Sequence, residues 1–129
     1  MTVQLNHTII ASKDPAGSAA WFAEILGLDA PERFGPFWQV STDNEVNLDF
    51  GGHDPDDEIT PQHYAFLISE DEFDAIFGRI VERGVEYYAD PAGRRRGEIN
   101  HNDGGRGVYF RDPSGHYLEI ITRPYGSGS

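Results

Sequence analysis

Residues 98–122, EINHNDGGRGVYFRDPSGHYLEIIT, are the stretch on which the rest of the interpretation depends. They run from a loop with a histidine through a short apolar strand, an Asp-Pro-Ser-Gly turn and a second apolar strand. In the second strand, alternation places Leu118 and Ile120 on one face and Glu119 on the other. A carboxylate in an otherwise apolar strand needs a partner, because an unpaired buried charge is too costly to keep. The remaining sequence has to supply that partner.

Length and composition define the broad class of the protein. A chain of 129 residues, 38% hydrophobic and 25% charged, fits one globular domain. We expect this domain to span residues 1–124 and to be followed by a flexible tail at 125–129. The absence of cysteine excludes disulfides, thiolate metal sites and cysteine nucleophiles, and it is typical of a cytoplasmic protein. The first residues do not resemble a signal peptide, and no stretch is apolar enough to span a bilayer.

The charge of the chain limits its partners. A net charge of −12 argues against nucleic acid and against anionic membranes as partners. Five of the ten basic residues nevertheless fall between positions 94 and 111. They are Arg94, Arg95, Arg96, Arg106 and Arg111. We favour a solvated loop for the first three, and the steering of an anion is the alternative.

The first half of the chain reads as a strand, a helix and further strands. A strand is predicted at residues 5–11 and contains His7. Asp14-Pro15 is typical of a helix start, and Gly27 of its end. Further strands are predicted at residues 37–41 and 45–50, with Asp49 opposite the apolar face of the last one. Residues 53–61, rich in acids and proline, are predicted to form a linker.

The same order then begins again. His63 opens a strand at residues 63–69, and Ser69 with Glu72 matches a capping box at the start of a helix. An apolar stripe runs through that helix to Gly84, which should end it. A strand at 85–88, a long loop at 89–107 and a hairpin at 108–122 complete the second half.

The two halves indicate an internal duplication. His7 lies 20 residues before Gly27, and His63 lies 21 residues before Gly84. The sequence therefore predicts an α+β fold of two βαβββ modules, at about residues 3–53 and 62–124, that form a curled mixed sheet around a central cleft. A pseudo-twofold axis would bring one set of side chains together in that cleft. The set is His7, Asp49, His63 and Glu119.

In the order and length of its elements, over residues 3–124, the chain resembles the vicinal oxygen chelate superfamily. This superfamily includes glyoxalase I, fosfomycin-resistance proteins, bleomycin-resistance proteins and extradiol dioxygenases. The closing run VYFRDPSGHYLE at residues 108–119 carries the resemblance, together with the two strand histidines. The resemblance implies that His7, His63 and Glu119 bind a divalent metal, with Asp49 where glyoxalase I has a fourth ligand. Two histidines and a carboxylate favour Fe(II), while Mn, Ni and Zn are alternatives.

A finer resemblance points to the extradiol dioxygenases. Their C-terminal pattern of a histidine, an apolar residue followed by tyrosine, Asp-Pro-x-Gly and a ligand glutamate is similar to His101, Val108-Tyr109, residues 112–115 and Glu119. It implies that His101 and Tyr109 are catalytic residues that contact a catecholate oxygen. The alternative for His101 is an exposed turn residue, and for Tyr109 a packed ring with a polar tip.

Three classes of function follow from the resemblance. The first is a metal-dependent dioxygenase acting on a small aromatic vicinal diol. The second is a glyoxalase-type lyase or isomerase, or a fosfomycin-type thiol transferase. The third is a non-enzymatic protein that binds an antibiotic, as bleomycin-resistance proteins do. A homodimer is expected, and the metal ligands then come either from one chain or from two, with His7 on one subunit and His63 and Glu119 on the other.

Overall fold

The computed structural model describes residues 2–52, 54 and 56–128. Within the linker predicted at residues 53–61, His53 and Pro55 lie outside the described residues. The chain divides into two compact units, Met1–Thr60 and Pro61–Ser129. Each unit contains one α-helix and one four-stranded sheet, so the predicted α+β class with two βαβββ modules is confirmed.

The first unit holds five regular elements. They are β1 (His7–Ile10), α1 (Pro15–Leu26), β2 (Glu32–Phe34), β3 (Phe37–Ser41) and β4 (Asn47–Phe50). The strand order is β1-β4-β3-β2, in which β1 and β4 are parallel and the other pairs are antiparallel. The short strand β2 falls in a region that the sequence indicated only as extended, and β1 and β4 are shorter than predicted.

Helix α1 begins and ends where its sequence predicts. The Asp14 side chain accepts a hydrogen bond from the backbone of Gly17, and Pro15 opens the helix. Gly27 ends it in the left-handed conformation, at φ 71°. The buried face of the helix includes Phe22, whose ring packs edge-on against Phe50 of β4 with centroids 4.9 Å apart.

The second unit repeats this order. Its elements are β5 (His63–Leu67), α2 (Glu70–Glu82), β6 (Tyr87–Tyr88), β7 (Gly107–Arg111) and β8 (Tyr117–Ile121), with a short 3₁₀ turn at Asn102–Gly104 in the long loop. The strand order is β5-β8-β7-β6, again with one parallel pair, β5 and β8. The two sheets therefore have the same topology, as a duplication requires.

The capping box predicted for helix α2 is present. The Ser69 hydroxyl accepts from the Glu72 backbone, and the Glu72 carboxylate accepts from the Ser69 backbone. Phe73, Ile76 and Ile80 of the apolar stripe are buried. Helix α2 is thus fixed at its start by polar contacts and along its length by burial.

Strand register places the polar residues of the two modules at equivalent positions. Glu119 in β8 lies between Ala65 of β5 and Tyr109 of β7. Asp49 in β4 lies between Ile9 of β1 and Gln39 of β3. Each carboxylate therefore lies on the fourth strand of its unit, two residues after the residue that is paired with the histidine. The predicted equivalence of Asp49 and Glu119 follows from backbone pairing.

No helix among residues 2–52, 54 and 56–128 is long and apolar enough to cross a membrane.

The capping box of α2 gives a stability test. Ser69→Ala removes the hydroxyl that accepts from the Glu72 backbone, and we expect the free energy of unfolding to fall by about 1 kcal/mol. Ser69→Thr keeps a hydroxyl at the same position and should stay within about 0.5 kcal/mol of the original protein. Urea unfolding measures the free energy of unfolding of both variants, and the comparison holds when the denaturant slope is the same as in the original protein. Equal losses in the two variants would show that the hydroxyl does not cap this helix.

Candidate functional site

Glu119 is the most buried carboxylate of the second unit and the centre of its polar cluster. Its side chain is 0% exposed, and its neighbours in the strand, Leu118 and Ile120, are apolar and buried as well. Burying an ionised carboxylate without partners would lower the free energy of unfolding by roughly several kcal/mol, because the charge loses its hydration. Glu119 has two partners, and each engages a different oxygen. The requirement inferred from the sequence, that Glu119 be paired, is met.

The first partner is His63, on the neighbouring parallel strand. Its Nε2 lies 3.1 Å from Glu119 Oε1, and its Nδ1 lies 3.0 Å from the Tyr117 carbonyl oxygen. A carbonyl oxygen only accepts, so Nδ1 carries a proton and donates it. In a neutral imidazole, Nε2 then presents a lone pair toward the carboxylate. This contact is favourable only when a proton or another cation stands between the two atoms.

The second partner of Glu119 is Tyr125, from the segment after β8. The Tyr125 hydroxyl donates to Glu119 Oε2, and the Tyr109 hydroxyl lies 2.8 Å from the Tyr125 hydroxyl. Burial raises the pKa of Tyr125, and its hydrogen bond to the Glu119 carboxylate raises that pKa further. Burial also raises the pKa of Tyr109. Both phenols are therefore protonated donors at neutral pH.

An open cavity of about 370 Å³ lies beside these groups. It is lined by His63, Pro91, Tyr109, Tyr117 and Tyr125. The rings of His63 and Tyr109 stack with centroids 6.0 Å apart and an angle of 25° between their planes. Flat, largely apolar walls with a few converging polar atoms are typical of a site for a small aromatic molecule.

The Asp112-Pro-Ser-Gly turn holds the site strands in place. Asp112 Oδ1 accepts from the backbone of Ser114, at 3.0 Å, and of His116, at 2.7 Å. Buried His116 accepts from the Gln62 backbone through Nδ1, at 2.9 Å. The turn therefore fixes β7 to β8 and also ties β8 to the residue before His63. His116, which precedes the second hairpin strand, has this structural contact rather than one in the cavity.

Two of the predicted metal ligands meet in the second unit. The spacing between His63 Nε2 and Glu119 Oε1 fits two ligand atoms that share one ion, since ligands about 2.1 Å from a metal at right angles stand about 3 Å apart. The proton on Nδ1 donated to a backbone carbonyl is also the usual arrangement of a metal-binding histidine. The donor set therefore fits a divalent metal. Over the described parts of the chain, however, no group of three or more His, Asp or Glu side chains is gathered so that it could hold an ion.

The other two predicted ligands belong to the first unit. His7 is exposed, and its Nδ1 contacts the Asn6 side-chain oxygen at 2.8 Å, which again leaves Nε2 available. Asp49 is buried, and its Oδ1 accepts from the Gln39 amide at 2.8 Å. Gln39 thus contacts Asp49 from the position that Tyr109 holds beside Glu119. The roles of His7 and Asp49 as ligands stay predictions.

His101 and the arginine run lie outside the cavity lining. His101 is exposed at the start of the Asn102–Gly104 turn, and the cavity has Pro91 rather than His101 in its wall. Arg95 pairs with Glu98 at 3.3 Å, and Arg96 pairs with Glu86, all on exposed side chains. These pairs fit the solvated-loop interpretation of the run. The catalytic role of His101 stays a prediction.

Sequence analysis missed Tyr125 and Tyr117 as site residues. Tyr125 falls in the tail predicted to be flexible, yet it contacts Glu119, and the backbone of Gly126 donates to Asp103 at 3.1 Å. No periodicity marks a residue beyond the last strand. The only available signal was its aromatic character in a stretch of glycine and serine. The mobility of residues 125–129 in solution stays a prediction.

Comparison with known proteins gives three kinds of match: a family, solved structures and a relative by sequence. The family described as the Glyoxalase/Bleomycin resistance protein/Dioxygenase superfamily matches residues 4–120. Among solved structures, Oxidase ChaP-H2 is 62% identical with a TM-score of 0.95, and the match covers 100% of both chains. Oxidase ChaP-H1 is 60% identical with a TM-score of 0.93, covering 97% of this chain and 99% of that one. The glutathione transferase FosA of Serratia marcescens is 27% identical over 128 residues, 93% of this chain and 81% of FosA.

Asp112 gives a pH test of the turn that supports the site. Burial raises its pKa, and its Oδ2 has no hydrogen-bond partner in the described part of the chain. The folded protein therefore keeps the Asp112 proton at pH values where the unfolded chain, with a pKa near 3.9, has released it. The stability that protonated Asp112 contributes is complete below about pH 3.9 and is lost as the pH rises through the pKa of the folded state. Asp112→Asn has no such loss.

As the pH rises from about 4 to 7, the free energy of unfolding of Asp112→Asn should therefore increase relative to that of the original protein. Urea unfolding at several pH values measures the difference. Asp43→Asn, at an exposed position of the first unit, is the control and should follow the original protein. A constant difference between Asp112→Asn and the original protein across this range would contradict the raised pKa.

Proposed function

The chain belongs to the Glyoxalase/Bleomycin resistance protein/Dioxygenase superfamily, and from that premise we propose that it is a metal-dependent oxygenase acting on an aromatic vicinal diol. One observation carries the proposal: His63 lines a cavity walled mainly by aromatic rings and is paired there with the buried Glu119 behind it. The pair supplies metal ligands, and the walls suit a flat substrate. The similarity to two proteins named as oxidases, at 60% and 62% identity, supports oxidation as the reaction class.

The proposed metal ligands are His63, Glu119 and His7, with Asp49 as a candidate fourth. Two histidines and one carboxylate on one side of an ion leave positions open for substrate, and this arrangement favours Fe(II) over Mn, Ni or Zn. A bound Fe(II) would supply Lewis-acid stabilisation of the ionised diol and a redox centre for dioxygen. The Tyr117 carbonyl keeps the His63 proton on Nδ1, which leaves Nε2 for the metal.

The aromatic residues of the cavity wall orient the substrate in this proposal. The Tyr109 ring stacks beside His63 and places its hydroxyl in the cavity wall next to Glu119. Since its pKa is raised by burial, Tyr109 stays protonated at neutral pH, and its hydroxyl oxygen is placed to accept a hydrogen bond from a substrate hydroxyl. Tyr117 offers another flat wall, and the Arg111 guanidinium covers that ring at 4.6 Å from its centroid. His101 remains the proposed acid or base, acting from the exposed loop.

A thiol transferase is the second candidate, because the chain is 27% identical to the glutathione transferase FosA over almost its whole length. In that reaction the same residues would hold the metal, and the metal would polarise an epoxide. The two candidates differ in the second substrate, which is dioxygen in one case and a thiol in the other. The aromatic cavity favours the oxygenase, since a small polar antibiotic gains little from three tyrosine rings.

We propose that the protein acts as a homodimer. His7 then joins His63 and Glu119 either within one chain or across the dimer. The two units carry their proposed ligands separately, with His7 and Asp49 in one and His63 and Glu119 in the other, so either arrangement preserves the same donor set.

Glu119→Gln tests the oxygenase most simply. The change keeps the side-chain shape but removes the charge that a cation needs, so Fe(II) binding and catechol-dependent oxygen uptake should both fall by at least about a hundredfold. Oxygen-electrode traces with a catechol panel measure uptake, and a yellow ring-cleavage product should appear only with the original protein. Glu82→Gln, on an exposed turn of α2, is the matched control and should keep full activity.

The outcome also separates the two candidate functions. If the Fe(II)-loaded original protein consumes no oxygen with any catechol but joins glutathione to fosfomycin, the transferase replaces the oxygenase. If it neither binds Fe(II) nor reacts with either substrate, both proposals are wrong.

Mixing two inactive variants locates His7. His7→Ala and Glu119→Gln are refolded together so that their subunits exchange. If each site uses ligands from two subunits, mixed dimers contain one intact site, and about a quarter of the original activity should return, since half of the dimers are mixed and each has one of two sites. If each site lies within one chain, no activity should return. Refolding either variant alone is the control.

A further inference from the structure

Tyr125 reaches Glu119 from a segment that is held to the second unit by backbone contacts. The amides of Gly126 and Gly128 donate to Asp103 Oδ1 at 3.1 and 3.4 Å. The Arg123 guanidinium donates to the Ser127 carbonyl at 3.1 Å. Asp103 itself sits in the 3₁₀ turn of the long loop, at a φ of 57°. The segment is thus closed on both sides of Tyr125, and the ring, although 57% exposed, presents its hydroxyl to a buried carboxylate.

The proton positions in this cluster follow from simple counting. A tyrosine hydroxyl has one proton, and the Tyr125 proton goes to Glu119 Oε2 because an ionised carboxylate can only accept. In the contact between the two tyrosines, Tyr109 must therefore be the donor. The chain of donors runs from Tyr109 through Tyr125 to Glu119. The free lone pairs of the Tyr109 oxygen are then available for a hydroxyl group in the cavity.

The two oxygens of Glu119 consequently have different environments. Oε1 faces His63 Nε2 at 3.1 Å, where the proposed ion would be shared. Oε2 accepts a charge-assisted hydrogen bond from the Tyr125 hydroxyl. A carboxylate whose second oxygen is engaged in this way coordinates through one oxygen. A carboxylate freed from that bond can use both, as carboxylates often do.

We propose that Tyr125 is a positioning residue that limits Glu119 to one coordinating oxygen and turns Tyr109 toward the substrate. The inference rests on the proposed metal site but adds a residue to it. With Glu119 limited to one oxygen, one more coordination position on the proposed metal would stay open, and a substrate that binds through two oxygens needs that position. Loss of the Tyr125 hydroxyl would let Glu119 take that position and would leave the Tyr109 proton without its acceptor.

Co(II) is a suitable probe, because its visible absorption reports how many ligands surround it and its binding can be followed without turnover. In Tyr125→Phe, the Co(II) absorption should weaken as a second carboxylate oxygen coordinates. The affinity of the Co(II) protein for 4-nitrocatechol should fall about tenfold or more, the range usual for loss of a group that orients a metal ligand. The metal-free Tyr125→Phe protein should still unfold cooperatively, with a melting temperature lower by about 3 °C or more, because a buried carboxylate oxygen loses its hydrogen bond.

Asp103→Ala supplies a second variant that leaves the tyrosine intact. It removes the acceptor for Gly126 and Gly128, so the segment loosens and the same changes in absorption and affinity should appear. Tyr88→Phe is the matched control. Its hydroxyl donates to exposed Glu86, away from the cavity lining, and its removal should change neither quantity.

The outcomes are distinct. Altered Co(II) absorption and weaker 4-nitrocatechol binding in Tyr125→Phe and Asp103→Ala, but not in Tyr88→Phe, support the role of Tyr125. A Tyr125→Phe protein that binds Co(II) and 4-nitrocatechol as the original protein does, with the same spectrum, overturns it and leaves the metal site standing. An original protein that takes up no Co(II) overturns the proposed metal site and this inference with it.

Discussion

The contact between His63 and Glu119 is the constraint on which the second unit depends. A fully buried carboxylate is tolerated only when charge and hydrogen bonds compensate for its lost hydration. His63 meets one oxygen, and Tyr125 meets the other. Because the Nδ1 proton of His63 goes to the Tyr117 carbonyl, the contact between Nε2 and Oε1 needs a second proton or a metal cation between the two atoms. The proposed chemistry is the consequence of this requirement.

The remainder of the unit keeps that contact in register. Parallel pairing of β5 with β8 sets His63 opposite Tyr117 and Ala65 opposite Glu119. The Asp112 turn, with its two backbone hydrogen bonds, closes the hairpin on one side. Along β7 and β8, buried apolar side chains alternate with the polar side chains of the site. Stability and site therefore use opposite faces of the same strands, as alternation along a strand permits.

How much the sequence could predict depends on the range of the interaction. Helix starts and ends followed from local chemistry, such as Asp14 before Pro15 and Ser69 with Glu72, and the structure confirms them. The equivalence of Asp49 and Glu119 followed from counting along two similar halves, and strand register bears it out. Tyr125 could not be found in this way, because its contact with Glu119 depends on how the chain turns after its last strand. The residues of the cavity wall could not be predicted either, since Pro91 and Tyr117 come together only when the long loop and the hairpin fold.

The family places the chain among enzymes and binding proteins that share one fold, so the fold alone does not select the reaction. The side chains narrow the choice: a histidine with a fixed proton, a buried carboxylate and a wall of tyrosines suit a metal ion and a flat diol. The most direct measurement is a crystal structure of the Fe(II)-loaded protein with anomalous diffraction recorded at the iron edge. The account predicts one iron peak within about 2.3 Å of both His63 Nε2 and Glu119 Oε1. A map with no peak there, or with iron bound only elsewhere, would contradict it.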